Sequence, residues 1–132
     1  MRYWIRLAGM IGGLALAFPG YAADLPDGDT ARGAEVYGRC LACHSFERNR
    51  TGPMHCGLIG RKAGNVDGYL YSKAMKKSGI TWSTETLDRF LEAPLKVVPG
   101  TKMGYAGVKN SQDRADLIAY MAKTAKDPSV CK

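Results

Sequence analysis

Two cysteines and a histidine at a fixed spacing, Cys40-Leu41-Ala42-Cys43-His44, constrain this chain more than any other feature in it. Cys-x-x-Cys-His is the attachment signature of a covalently held c-type haem. Each thiol can add to one vinyl group of the porphyrin, and the adjacent imidazole then lies under the macrocycle as the proximal ligand of the iron. A structural zinc site would need four ligands, usually as two spaced pairs. The chain has no second Cys-x-x-Cys and no matching histidine pair. A thioredoxin-like dithiol belongs beside a βαβ pattern, and no strand pattern precedes Cys40.

The chain of 132 residues is not expected to fold throughout. Met1–Ala22 carries Arg2 and Arg6, an apolar run from Leu7 to Phe18, and then Gly20-Tyr21-Ala22. That is the charged, apolar and small-residue order of a secretory signal peptide. The apolar run is shorter than the ~20 residues a bilayer span needs. Cleavage after Ala22 is favoured because Gly20 and Ala22 supply the small-x-small pattern; an uncleaved anchor is the alternative. Residues 23–132 then form one domain, exported to the periplasm. The whole chain has 19 basic and 12 acidic residues, and losing Arg2 and Arg6 leaves 17 against 12, a formal charge of +5. A basic balance points to anionic partners. Export removes nucleic acid from consideration and permits disulfides.

Asp29 is a natural N-cap for a helix to about Leu41, with Gly33, Val36, Tyr37 and Cys40 on one face at helical spacing. Gly33 inside that helix costs ~1 kcal/mol in propensity, which close approach of another helix would explain. Ser45–Gly68 reads as loop, punctuated by Gly52-Pro53, Gly57, Gly60, Gly64 and Gly68. So long an irregular stretch needs something to organise it, and a haem edge could do so. Ser72–Ser78 reads as a short helix stopped by Gly79. Ser83 caps a second, ending before Pro94, with Leu87, Phe90 and Leu91 on its inner face and a Trp82–Leu87 staple across the cap. Leu95–Asn110 is again irregular. Ser111 is expected to cap a last helix to about Ala125, whose Leu117, Ile118, Met121, Ala122 and Ala125 form one face. No segment alternates as a strand, so the domain is all-α.

A proximal His44 leaves the other face of the iron to be filled. Met54, Met75, Met103, Met121 and His55 are the donors available. Met121 lies on an apolar helical stripe, where methionine is ordinarily core filler, and Met75 reads the same way. Met54 and His55 follow His44 closely and are better placed to line its near side. Met103 sits in Pro99-Gly100-Thr101-Lys102-Met103, a loop with no helical face to fill. Spacing favours Met103, with His55 and a vacant position as the alternatives.

The chain from Asp29 to about Lys126 resembles a class I cytochrome c of the mitochondrial and related bacterial soluble type. The matching stretches are Gly33…Tyr37…Cys40-x-x-Cys43-His44, Thr51-Gly52-Pro53, Gly60-Arg61-Lys62-Ala63-Gly64, Gly79-Ile80-Thr81-Trp82, Pro99–Met103 and Asp116-Leu117-Ile118-Ala119-Tyr120. The resemblance implies three main helices and loops wrapped around one haem c, bound covalently through Cys40 and Cys43. It implies Met103 as the sixth ligand and the Pro53 carbonyl as acceptor of the His44 ring N–H, a bond that fixes the tautomer. It also implies Arg61, Tyr71, Trp82 and Thr101 around a haem propionate, and a crossing of the first and last helices at Gly33 against Leu117. Phe90 stands where the family usually has tyrosine, and Met75 where many members have asparagine; both changes make the Met103 side of the haem drier. Cys56 replaces a residue that is commonly histidine. With Cys131 it makes the pair of thiols left over, and a Cys56–Cys131 disulfide is expected in an oxidising compartment.

A haem with both axial positions filled has no site for oxygen or substrate. The function expected is therefore a monomeric one-electron carrier and not an enzyme, with Met ligation raising the potential. Arg39, Arg50, Lys62, Lys96, Lys102 and Lys109 are the candidates for a basic rim that steers acidic redox proteins to the haem edge. The rival from another class is a haem enzyme or gas sensor with a vacant or labile sixth position.

Overall fold

The computed structural model describes residues 25–132, so the leader read at Met1–Ala22 lies outside the described residues. Helix α1 (Thr30–Tyr37) begins at Asp29, whose carboxylate accepts the backbone N–H groups of Ala31 and Arg32 at 2.8 and 3.1 Å. The helix stops short of the expected Leu41. At Gly38, a poor helix former, the chain tightens into a 3₁₀ turn over Gly38–Cys40. That turn leaves the Cys40 carbonyl accepting from the N–H of both Cys43 (3.1 Å) and His44 (2.9 Å), which folds the two cysteines and the histidine into one knot of chain.

The loop that follows is ordered by its own side chains. Asn49 accepts the Met54 N–H at 3.1 Å and donates to the Asp67 carbonyl at 2.9 Å, closing the loop at its middle. Arg61 donates to the carbonyls of Cys56 and Met54 at 2.8 and 2.9 Å, and the Tyr69 hydroxyl to that of Thr51 at 2.6 Å. A haem edge is therefore not the sole organiser of this stretch. A lone antiparallel bridge joins Lys62 to Thr81.

Helix α2 (Lys73–Lys77) is capped by Ser72 and ends at Gly79, whose φ of 70° is the left-handed conformation glycine adopts without strain. Helix α3 (Thr84–Glu92) opens with a reciprocal box. The Thr86 N–H donates to Ser83 Oγ at 3.2 Å, and the Ser83 N–H to Thr86 Oγ1 at 2.7 Å. Pro94 then starts a single further turn, α4 (Pro94–Val97), in what was read as irregular chain. Four residues are too few to display a helical period, but proline is pre-organised for a first helical position. Helix α5 (Ser111–Thr124) is capped by Asn110 and not by Ser111. Asn110 Oδ1 accepts the Asp113 N–H at 2.9 Å, and either residue type is a good cap.

Helices α1 and α5 cross at Gly33. A methyl group on Gly33 would collide with the Asp116 carbonyl and with Tyr120 Cβ. The contact is thus with Asp116 and Tyr120, one residue before and three after the Leu117 that the resemblance implied. Leu117 itself is completely buried in the core with Ile118, Met121, Leu87, Phe90 and Leu91. Two charged side chains are buried in the same region, each held by a partner. Asp116 accepts from the Arg32 guanidinium at 2.9 Å, from the Asp29 N–H at 2.7 Å and from Gln112 at 2.9 Å. Arg114 donates to Asp88 at 2.6 Å and to the carbonyls of Val108 and Lys109, both at 3.0 Å. The architecture is all-α with long loops, and among the described residues no helix is long and apolar enough to cross a membrane.

Candidate functional site

The loops and helices enclose one largely apolar cavity of about 270 Å³. The 3₁₀ turn brings Cys40, Cys43 and His44 to it, and the loop after the turn brings Pro53 and Arg61. Tyr71 comes from the approach to α2 and Trp82 from the approach to α3, while Thr101 and Met103 arrive on the loop after α4. All nine residues named from the sequence as cofactor-binding therefore line the same space. Leu58, Met75, Leu87, Phe90, Leu91 and Met121 complete its apolar wall. Cys40 is half-buried and Cys43 exposed, so one edge of the cavity reaches the surface at the cysteine pair.

His44 is held in one tautomer. Its Nδ1 lies 2.8 Å from the Pro53 carbonyl, which can only accept, so the proton is on Nδ1 and the Nε2 lone pair is left free. Burial lowers the His44 pKa, with the Pro53 bond pulling the other way, and the imidazole stays neutral. Gly52 is required beside it: a Cβ there would run into the His44 ring. A neutral imidazole lining the cavity with Nε2 unbonded is the donor state a metal needs.

Arg61 faces the same cavity. Burial lowers its pKa as well, and among the described residues it meets two carbonyls and no carboxylate. A half-buried cation without a counter-ion suits an anionic group in the cavity. Burial likewise pushes the Tyr71 phenol up, opposed by the Arg61 charge, so the phenol remains a hydrogen-bond donor. Thr101 Oγ1 accepts the Met103 N–H at 3.2 Å, which fixes the backbone beside the half-buried Met103 thioether. Thiols at one edge, a neutral imidazole, a thioether, an uncompensated cation and an apolar lining together fit a covalently held haem with its propionates inside.

Two features escaped the sequence reading. His55, weighed there as an iron ligand, is instead stacked on the His44 ring and bonded to Tyr37 at 2.9 Å. Burial lowers its pKa to about 3, with the neighbouring His44 and Arg61 adding to the effect. Nothing in linear spacing joins Tyr37 to His55; the pair exists only because the loop doubles back under α1. The second concerns the basic residues. Only Arg39 and Lys102 of the six reach the cavity wall, and Arg39 is paired with Asp113 at 3.4 Å. Lys102 Nζ donates to the Leu70 carbonyl at 2.7 Å, and Arg50 to that of Leu41, also at 2.7 Å. Cys56 and Cys131 lie together, with Cα atoms 5.5 Å apart.

Comparison with known proteins places these features in context. The family model described as cytochrome c matches residues 30–125. Cytochrome c2 of Rhodomicrobium vannielii is 44% identical over 121 residues, covering 89% of this chain and 94% of that one. Cytochrome c of Euglena viridis is 50% identical over 103 residues, covering 76% of this chain and the whole of the relative. Among solved structures, cytochrome cH from Methylobacterium extorquens superposes with a TM-score of 0.71 at 45% identity, over 73% of this chain and 99% of that one.

Proposed function

The chain belongs to the class I cytochrome c family and is an electron carrier with one covalent haem c, and on that premise we propose that it shuttles single electrons in the periplasm between respiratory or photosynthetic redox proteins, with His44 and Met103 as the axial ligands. Haem c bound through Cys40 and Cys43 supplies an iron that takes up and returns one electron. One observation carries the proposal: a single apolar cavity is bounded both by a neutral His44 with Nε2 free and by Met103. The chain's own residues then do the remaining work. Pro53 holds the His44 proton on Nδ1. Phe90 and Met75 are buried side chains that give the cavity an apolar wall, and an apolar pocket with a thioether donor favours the reduced, less charged state. Arg61, Tyr71, Trp82 and Thr101 supply charge and donors for a propionate.

With His44 and Met103 both holding the iron, neither oxygen nor a substrate would have a place to bind, which is the reason for reading a carrier and not an enzyme. The signal-like Met1–Ala22 and the approach of Cys56 to Cys131, which suits a disulfide, both support export. Acidic redox proteins would meet the haem edge at an exposed basic rim, centred on Lys102 and Arg50 with Lys96 and Lys109 nearby in sequence. Arg39 counts for less because Asp113 offsets its charge. The carrier is read as a monomer.

Carbon monoxide tests the central point, because it binds ferrous haem only where an axial position is open. The ferrous holoprotein is expected to keep its visible spectrum under carbon monoxide and to give a reversible one-electron wave in voltammetry. A carbon monoxide adduct formed at neutral pH by the native protein would favour the gas-sensor or enzyme reading.

A further inference from the structure

His55 is a polar ring in an apolar core. It is 8% exposed, and its plane lies 23° from that of His44 with ring centroids 4.4 Å apart. Tyr37 meets it at 5.8 Å between centroids and Phe46 at 6.0 Å, edge-on at interplanar angles of 65° and 78°, so aromatic neighbours on α1 and the following loop confine the ring. The Tyr37 hydroxyl lies 2.9 Å from His55 Nδ1 and has no other partner among the described residues. Were Nδ1 the donor, the phenol proton would be buried with no acceptor, at the desolvation cost of an unmade bond. The phenol therefore donates to Nδ1, and His55 carries its own proton on Nε2.

The His44 ring has a single hydrogen bond, to the Pro53 carbonyl. One bond fixes the tautomer and restrains Nδ1, but a hydrogen bond tolerates a bend of about 30°, so the ring can still rock about its Cβ–Cγ bond. A flat partner stacked on the imidazole removes that freedom. An aliphatic side chain would fill the same volume without preferring any plane.

We propose that His55 is a positioning residue for the proximal ligand: held by Tyr37, its ring sets the plane of the His44 imidazole. The proposal rests on His44 being that ligand. The plane of an axial imidazole decides which iron dπ orbital holds the unpaired electron in the low-spin ferric state. It is therefore read out by ferric electron paramagnetic resonance and by the spread of the porphyrin methyl proton shifts, neither of which responds to stability alone.

The experiment uses the ferric holoprotein and three variants. His55→Leu is expected to change the g-anisotropy and the methyl shift pattern while the visible spectrum stays low-spin. His55→Phe, which retains a flat ring, is expected to restore values close to the native ones. Tyr37→Phe, which keeps the packing but releases His55, is expected to move the methyl shifts by less than His55→Leu does. It serves as the deciding variant should His55→Leu fail to yield holoprotein. Native g values and methyl shifts in His55→Leu, or in Tyr37→Phe where that variant decides, would overturn the proposal. His44→Gly separates the premise: if it keeps the native low-spin spectrum, His44 is not the ligand and the ligation reading fails first.

Discussion

Arg114 illustrates how one residue ties three segments together. Its side chain is 8% exposed, and the guanidinium binds Asp88 of α3 and the Val108 and Lys109 carbonyls just before α5. Removing one member of a buried pair strands the other, typically at 3 kcal/mol or more. Arg114→Ala is expected to cost about 3 kcal/mol in urea unfolding of the holoprotein, and Arg114→Lys most of that, since an ammonium cannot reproduce the forked contacts. A loss under about 1 kcal/mol in the alanine variant would mean that water replaces the guanidinium at no great cost. Such a residue was invisible in the sequence, where Arg114 reads as one more surface charge. That His44 and Met103 would line one cavity, as they do, was by contrast legible there: one through the fixed spacing of the haem motif, the other because a methionine in a loop without periodicity has no helical face to fill, although spacing left His55 and a vacant position open beside it.

At the scale of elements, the crossing of α1 and α5 depends on Gly33 and on the buried carboxylate of Asp116. The hydrogen bond from Arg32, with that from the Asp29 N–H, holds the Asp116 carboxyl far below the usual carboxylate range. A depressed carboxyl contributes stability that is fully present above its unfolded pKa of about 4 and is lost as the pH falls through the folded value. Stability is thus expected to decline from about pH 4 downward, and Asp116→Asn to flatten that part of the curve, as followed by helical circular dichroism. An unchanged acid limb in the variant would shift the responsibility to other carboxylates. Helices α3 and α5 were legible because their length displays a 3.6-residue period, and α2 because Gly79 ends it. The one-turn α4 was not, since four residues carry no period, and the Asn110 cap was misplaced by one residue because Ser111 is chemically almost as good. The loop at 45–68 was recognised as irregular, but the Asn49–Asp67 and Tyr69–Thr51 bonds that close it join residues 18 apart in sequence, and the Arg61 bonds go to backbone carbonyls, which no residue type marks.

Across the whole molecule, the C-terminal tail is brought back to the loop beside the cavity. The Gly57 N–H donates to the Ala125 carbonyl at 3.0 Å, and Cys56 approaches Cys131 across a separation of 75 residues. A disulfide closing a loop of that length restricts the unfolded chain by about 4 kcal/mol in the entropy model. The Cys56→Ser/Cys131→Ser double variant is expected to lose stability of that order, with no effect of reductant on the variant. Two alkylatable thiols in the native holoprotein would remove the bond from the account. The central claim concerns the iron and its two donors, and the ferric near-infrared spectrum of the native protein and of Met103→Ala tests it most directly. A weak sulfur-to-iron band in the native protein, lost in the variant together with low-spin character, is the predicted result. A native protein without that band, or a variant that keeps the native spectrum, would contradict it.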